Sequence, residues 1–157
     1  MRTLVVYYSR TGNTRAVARA IASRLDAPTV ERIRPAKRRP YWNWLLRSAV
    51  PGSRVDVRPV ETVPSRYDAV FLGTPKWTLS CPPVTEYLER VDFGGATVGA
   101  FLTYGGFDEE RYRRRLVEKV RDRGGTVAAT ALVRRDAIGT PEFDEAIGRF
   151  CREVTDG

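Results

Sequence analysis

The stretch Tyr8-Ser9-Arg10-Thr11-Gly12-Asn13-Thr14 decides how the rest of this chain is read. Ahead of it stands an apolar run, Leu4-Val5-Val6-Tyr7-Tyr8, which predicts a buried strand. Behind it Val17, Ile21 and Leu25 fall four apart, with Arg15, Arg19 and Arg24 off that stripe, so an amphipathic helix follows. A hydroxyl-rich turn that feeds a helix N-terminus is an anion site. The first helical N–H groups are unpaired, and Ser9, Thr11 and Thr14 add hydroxyl donors. Gly12 lets the backbone approach an anion or take a positive φ. The anion that suits it is a phosphate. The plainer alternative is an ordinary helix cap, with Asn13 or Thr14 as the capping residue. Two phosphate loops are excluded. The Lys-Ser/Thr ending that holds ATP or GTP is missing, and one Gly stands where a dinucleotide fingerprint needs three.

The whole chain narrows the choice. Its 157 residues suit a single domain, 1–157, with one core. There is no histidine, which removes an imidazole base, a Ser-His triad and a His-ligated metal. An enzyme built this way would borrow its chemistry from a cofactor. The two cysteines, Cys81 and Cys151, stand in unrelated contexts and form no metal or redox pair. No apolar stretch approaches the roughly 20 residues of a membrane span. No leader pattern is recognisable at the N-terminus, so a cytoplasmic location is expected. The charge is +8, from 27 Lys and Arg against 19 Asp and Glu. It suits acidic partners, although solvated helix faces account for most of it.

Strand and helix patterns then alternate. Thr29 to Ile33 reads as a second strand. The basic, Pro-bounded loop Pro35 to Pro40 leads to a short aromatic helix from Tyr41, through Trp42 and Trp44, to a Pro51-Gly52 stop. Its aromatics read first as core cover; Lys37, Arg38 and Arg39 beside them keep a docking or membrane-surface role open. Val55 to Val57 reads as an edge strand and Ala69 to Gly73 as a buried one. Pro83 opens a helix with Val84, Tyr87, Leu88 and Val91 inward. Strand Thr97 to Thr103, helix Glu109 to Arg123, strand Thr126 to Val133 and helix Pro141 to Val154 complete the chain. This alternation predicts an α/β fold with a parallel sheet covered on both faces. In a doubly wound sheet the ligand lies beyond the carboxyl ends of the strands, where the strand order reverses.

That geometry puts binding chemistry in the loops after strands 1, 3 and 4. After strand 3 comes Gly73-Thr74-Pro75-Lys76-Trp77-Thr78-Leu79-Ser80-Cys81-Pro82-Pro83, with a large aromatic on a Pro-stiffened turn. After strand 4 comes Thr103-Tyr104-Gly105-Gly106-Phe107, with a second aromatic and two glycines that let backbone N–H groups reach a ligand edge. One phosphate loop and two aromatic loops on one rim suit a phosphorylated flat cofactor. Trp77 plugging the rim of the core, and Tyr104 packing on the helix that follows, are the structural alternatives. Cys81 before a helix N-terminus reads as part of a structural turn rather than as a reactive thiol.

With Ser9, Thr11, Gly12 and Thr14 in a Ser/Thr-x-Thr-Gly-x-Thr pattern, and with Gly-Thr-Pro-x-Trp and Thr-Tyr-Gly-Gly in the later loops, the chain resembles the flavodoxin family over nearly its whole length. The resemblance implies a flavodoxin-like doubly wound five-stranded parallel sheet, order 2-1-3-4-5, and FMN as cofactor. It implies that Ser9, Arg10, Thr11, Gly12, Asn13 and Thr14 hold the phosphate. Thr74, Pro75, Lys76, Trp77 and Thr78, with Thr103, Tyr104, Gly105 and Gly106, would flank the isoalloxazine ring. Two features depart from the family: soluble shuttles are typically acidic, and many have Gly soon after the first flavin aromatic, where this chain has Thr78.

Three functions follow from that resemblance. The first is an FMN-binding redox protein that carries electrons to a partner protein with an acidic docking surface, or to a small-molecule acceptor. The second is a small FMN-dependent NAD(P)H or quinone oxidoreductase. The third is a flavin-free binding module on the same fold. The cationic residues Arg111, Arg114, Arg115 and Lys119, with Lys37 to Arg39, motivate the acidic partner. Nucleic acid is the weaker partner, because base-stacking aromatics do not interleave with the basic residues outside 41–44.

Overall fold

The computed structural model describes residues 1–157 and alternates strand with helix. The elements are β1 (Thr3–Tyr7), α1 (Asn13–Ala22), β2 (Thr29–Arg32), α2 (Tyr41–Ser48), β3 (Ala69–Pro75), α3 (Pro82–Arg90), β4 (Thr97–Tyr104), α4 (Glu109–Asp122), β5 (Thr126–Arg134) and α5 (Pro141–Thr155). All strand pairs are parallel, and the order is β2-β1-β3-β4-β5. This is the flavodoxin-like doubly wound sheet. The order reverses between β1 and β3, and Tyr7 at the end of β1 pairs with Arg32 on one side and Gly73 on the other.

Both faces of the central strands are buried, which is why they are written as unbroken apolar runs. Successive side chains alternate between faces. Leu4, Val6, Val70, Leu72, Val98 and Leu102 meet Tyr87 and Leu88 of α3 and Tyr112, Leu116 and Val120 of α4. Val5, Tyr7, Phe71 and Phe101 meet Val17 and Ile21 of α1 and Phe143, Ile147, Phe150 and Val154 of α5. The two layers fix the strand ends and thereby the rim on which the loops stand.

Several boundaries differ from the sequence expectations. The expected edge strand at Val55 to Val57 is a single antiparallel bridge between Pro35 and Val57, flanked by Ala36 N–H to Asp56 O and Arg58 N–H to Arg34 O. Pro35 and Pro59 lack the N–H that would extend a ladder. Helix α1 ends at Ala22, so Leu25 lies beyond it. There Ser23 Oγ and an Arg24 guanidinium N–H donate to the Ala20 carbonyl, which would otherwise continue the helix. Strands β3 and β4 reach Pro75 and Tyr104, so Thr74, Pro75, Thr103 and Tyr104 belong to strand ends rather than to loops. No helix is long and apolar enough to cross a membrane.

Candidate flavin site

A cavity of about 370 Å³ opens at the carboxyl ends of β1, β3 and β4. That volume is within the range of small-molecule and cofactor sites. Three chain segments that are remote in sequence meet there. The turn after β1 brings Ser9, Arg10, Thr11, Asn13 and Thr14. The end of β3 brings Pro75, Lys76, Trp77 and Thr78, and the end of β4 brings Thr103, Tyr104, Gly105 and Gly106.

The first segment has free donors. Gly12 occupies the cap position of α1 at φ +103°, and no side chain caps the helix. The capping alternative for Asn13 or Thr14 is therefore not what the chain does; both are inside the helix. Backbone N–H groups of Arg10, Thr11, Asn13, Thr14 and Arg15 find no acceptor in the protein. Only the Gly12 N–H is used, donated to Ser9 Oγ at 3.1 Å. Unpaired N–H groups at a helix N-terminus, beside hydroxyls, form an anion cradle. Gly12 serves it by its positive φ, since a Cβ built there would meet nothing within 4 Å.

Hydrogen bonds lock the cradle to the strand ends. Thr14 Oγ1 and Thr103 Oγ1 lie 2.8 Å apart and are buried. Lys76 N–H donates to Thr103 O at 2.7 Å, tying the end of β3 to β4. Arg32 donates to the Ser9 carbonyl at 2.7 Å, holding the turn from the β2 side.

Aromatics build the second wall. Trp77 stands edge-on to Tyr8 at 5.6 Å between centroids and tilted against Trp44 of α2 at 5.8 Å. It lines the cavity and packs on the core layer beneath at once, and so does Tyr104. A ring held on two sides by other rings is pre-set to receive a flat ligand. Thr78 is fixed as well: its N–H donates to Ser48 Oγ at 3.4 Å, the two hydroxyls are bonded, and Leu79 and Ser80 N–H both donate to Ser48 O. Backbone N–H groups of Trp77, Gly105 and Gly106 have no acceptor in the protein.

Two expected residues do not line the cavity. Gly12 shapes the backbone only. Thr74 is fully buried, and its hydroxyl donates to the Pro75 carbonyl. Gly105 differs in its reason: a Cβ there would lie 1.8 Å from the Arg135 guanidinium, so this glycine makes room for that side chain. Cys81 is buried against α3, and burial pushes its thiol up to about 12, as befits a structural residue. Lys119 was expected on the open cationic face of α4. Instead it turns between α4 and α3, its ammonium 3.4 Å from Thr85 Oγ1, and burial lowers its pKa.

Three lining residues escaped the sequence reading: Tyr41, Leu45 and Arg135. Tyr41 and Leu45 come from α2, read as core cover, and Arg10 stacks over the Tyr41 ring at 4.2 Å. Arg135 follows β5, outside the loops after strands 1, 3 and 4. The signal was the Arg134-Arg135 pair at the carboxyl end of the strand beside β4. With Arg10, Lys76 and Arg135, and no Asp or Glu in its lining, the cavity is electropositive throughout. No group of His, Cys, Asp or Glu is placed to hold a metal.

Comparison with known proteins agrees with this fold. A family described as flavodoxin matches residues 2–125. An uncharacterized protein of Archaeoglobus fulgidus is 39% identical over 108 residues, 68% of either chain. A crystal structure of a Lactobacillus acidophilus flavoprotein in complex with FMN superposes with a TM-score of 0.67 at 19% identity, over 87% of this chain and 94% of that one. Oxidised flavodoxin 2 of Bacillus cereus gives 0.69 at 19% identity over 99% of both chains. From its strand order, its uncapped turn after β1 and the family match across most of its length, this chain belongs to the flavodoxin family.

Proposed function

We propose that this protein binds FMN and carries electrons through it, as a single-domain redox protein of 157 residues. The observation that carries the reading is the cluster of backbone N–H groups without acceptors at the start of α1, facing two aromatics across one cavity. Ser9, Arg10, Thr11, Asn13 and Thr14 would hold the phosphate, on a turn that Gly12 shapes. Their N–H groups, hydroxyls and helix N-terminus supply donors for a dianion. Pro75 to Thr78 and Thr103 to Gly106 would flank the ring, with Trp77 and Tyr104 as its aromatic neighbours and the free N–H groups of Gly105 and Gly106 at its polar edge. FMN bound there supplies the electron-accepting and electron-donating chemistry that no side chain of this site can.

The residues have the remaining tasks. Trp77, Tyr104 and Leu45 exclude water from the ring. The Thr14–Thr103 bond keeps the phosphate turn at a fixed distance from the ring loops. Lys76 and Arg135, neither paired with a carboxylate, stabilise negative charge on whatever they face. The electron partner in this reading is a protein with an acidic docking surface or a small-molecule acceptor. Two free, buried thiols suit a reducing compartment, and the cytoplasm is the location this reading assigns.

The same free cations favour a second reading, an FMN-dependent NAD(P)H or quinone oxidoreductase, because an anionic donor could dock beside the ring. Two measurements separate the readings. Flavin absorbance and FMN content of the purified protein test the first. Steady NAD(P)H oxidation without an added reductase selects the second, and a protein that takes up no FMN is left as a flavin-free binding module.

A further inference from the structure

Helix α2 has two apolar faces. Trp44 and Ser48 point inward, 3% and 0% exposed. Half a turn round the helix, Trp42 and Leu46 are 62% and 63% exposed, and Val50 just beyond the helix is 57% exposed. A surface helix normally puts polar side chains there. The polar pair of α2 occupies only a flank, where Arg47 Nε donates to Asn43 Oδ1 at 3.0 Å. The opposite flank, Tyr41 and Leu45, borders the cavity. Phe107, 82% exposed, adjoins the same cavity beside Gly106, with the Lys76 ammonium 5.3 Å from its ring.

The charge is concentrated on the same segment. Residues 32 to 55 contain Arg32, Arg34, Lys37, Arg38, Arg39, Arg47 and Arg54 and no Asp or Glu. Elsewhere 20 cations and 19 acids nearly cancel, so this one segment accounts for almost all of the +8. Lys37, Arg38 and Arg39 precede the helix directly and have no carboxylate partner, whereas Arg54 at the far end is paired with Glu86. The scaffold holds the helix rigidly: Ser48 O accepts from Leu79 and Ser80, and Trp44 is clamped by Trp77.

We propose that α2 and the basic run before it form an attachment surface for an anionic lipid bilayer. Protruding Trp, Leu and Val side chains enter the boundary between headgroups and acyl chains, and flanking Lys and Arg meet the negative headgroups. The apolar side chains stand out from the surface instead of lining a groove, and cations fringe them; a bilayer meets both requirements without a shaped partner. Attachment through α2 places the cavity, which the Tyr41 and Leu45 flank borders, beside the lipid surface.

Sedimentation of the purified protein with vesicles tests this, using phosphatidylcholine alone and phosphatidylcholine mixed with phosphatidylglycerol. The expected result is partition into the anionic vesicles at low salt, with a blue shift of tryptophan emission, and none into the neutral ones. Trp42→Ser/Leu46→Ser keeps the charge and should weaken partition about tenfold or more. Arg38→Gln/Arg39→Gln should weaken it about tenfold. Arg149→Gln/Arg152→Gln removes the same charge from α5, on the other face of the sheet, and should change partition by no more than about twofold. All six positions are exposed or half-buried, and far-UV circular dichroism verifies each fold. Absence of partition into anionic vesicles overturns the proposal. So does equal partition of Trp42→Ser/Leu46→Ser, which would leave only net charge at work. Self-association that the same double variant abolishes, without lipid binding, would assign the face to a second copy and overturn it too.

Discussion

Thr14 Oγ1 and Thr103 Oγ1 share a buried hydrogen bond of 2.8 Å across 89 positions of sequence. The bond joins the first turn of α1 to the end of β4, and so joins two walls of the cavity. Thr103→Val leaves the Thr14 hydroxyl buried without this partner, at a cost of about 1–3 kcal/mol in stability. FMN affinity should fall with it, by about tenfold, because the two halves of the site lose their fixed spacing. The double variant Thr14→Ala/Thr103→Val should cost clearly less than the sum of the single changes. Denaturant melts and FMN titrations of the four proteins check this; strict additivity would mean that the bond carries no coupling.

Gly12 sits at φ +103° with open space where a Cβ would be. Strain, not crowding, therefore decides its substitutions. Gly12→Val should lower FMN affinity at least about tenfold, since a β-branched residue resists positive φ. Gly12→Asn should be milder, because Asn tolerates left-handed backbone. Thr11→Ala should weaken FMN binding by removing a donor. Equal affinities for Gly12→Val and wild type would remove the turn from the site.

The cavity lining has three cations and no carboxylate. Reduced flavin gathers negative charge at its N1–C2=O edge, and nearby cations favour that charge. Lys76→Gln and Arg135→Gln should each make the two-electron midpoint more negative, by about 30 mV for a tenfold change in the equilibrium. Thr78 is held to Ser48, and Thr78→Gly should loosen the loop and favour stepwise one-electron reduction. Redox titration followed by absorbance measures both effects, and unchanged midpoints in both cation variants would place the ring away from Lys76 and Arg135.

Glu86 anchors the segment after α2. Burial alone would raise its pKa, but Arg54 Nε and Arg90 Nε, each 2.6 Å away, outweigh it and hold the carboxyl below its ordinary value of 4.5. A group with a lowered folded pKa stabilises fully above its unfolded pKa, and that contribution is lost as pH falls through the folded value. Wild type should therefore exceed Glu86→Gln in Tm at neutral pH, and the gap should close in the acid range below 4.5. A gap constant with pH would show that the ion pairs do not contribute.

Burial pushes the thiols of Cys81 and Cys151 up to about 12 and about 11. Neither should react with an alkylating reagent at mildly alkaline pH until the protein unfolds. Counting modified thiols with and without denaturant checks this, and rapid labelling of Cys81 in the folded protein would contradict the structural role given to it.

Apolar runs made the sheet legible, because both faces of β1, β3 and β4 are buried and those runs stand out between turn signals. The 55–57 strand failed because apolar residues alone do not make a ladder where prolines interrupt the donors. The turn after β1 was legible from its hydroxyls and its single glycine. The mate of Thr14 was not, since nothing local to Thr103 announces a hydroxyl partner 89 positions away. Arg135 is only half legible: the Arg134-Arg135 pair ends the strand beside β4, but its entry into the cavity depends on the absent Cβ of Gly105, a fact of packing. Core packing and a place at the cavity are alternatives for Trp77 and Tyr104 in the sequence, and in the structure each ring both packs on the core layer and lines the cavity.

The proposed function rests on the uncapped start of α1 holding the phosphate of FMN. Titration of flavin-free protein with FMN and with riboflavin, followed by flavin fluorescence, tests it most directly. FMN should bind at least about a hundredfold tighter, the effect of charge-assisted bonds worth roughly 3 kcal/mol. Gly12→Val should erase most of that difference while leaving riboflavin binding nearly unchanged. Equal affinity for the two flavins in the wild-type protein would contradict it.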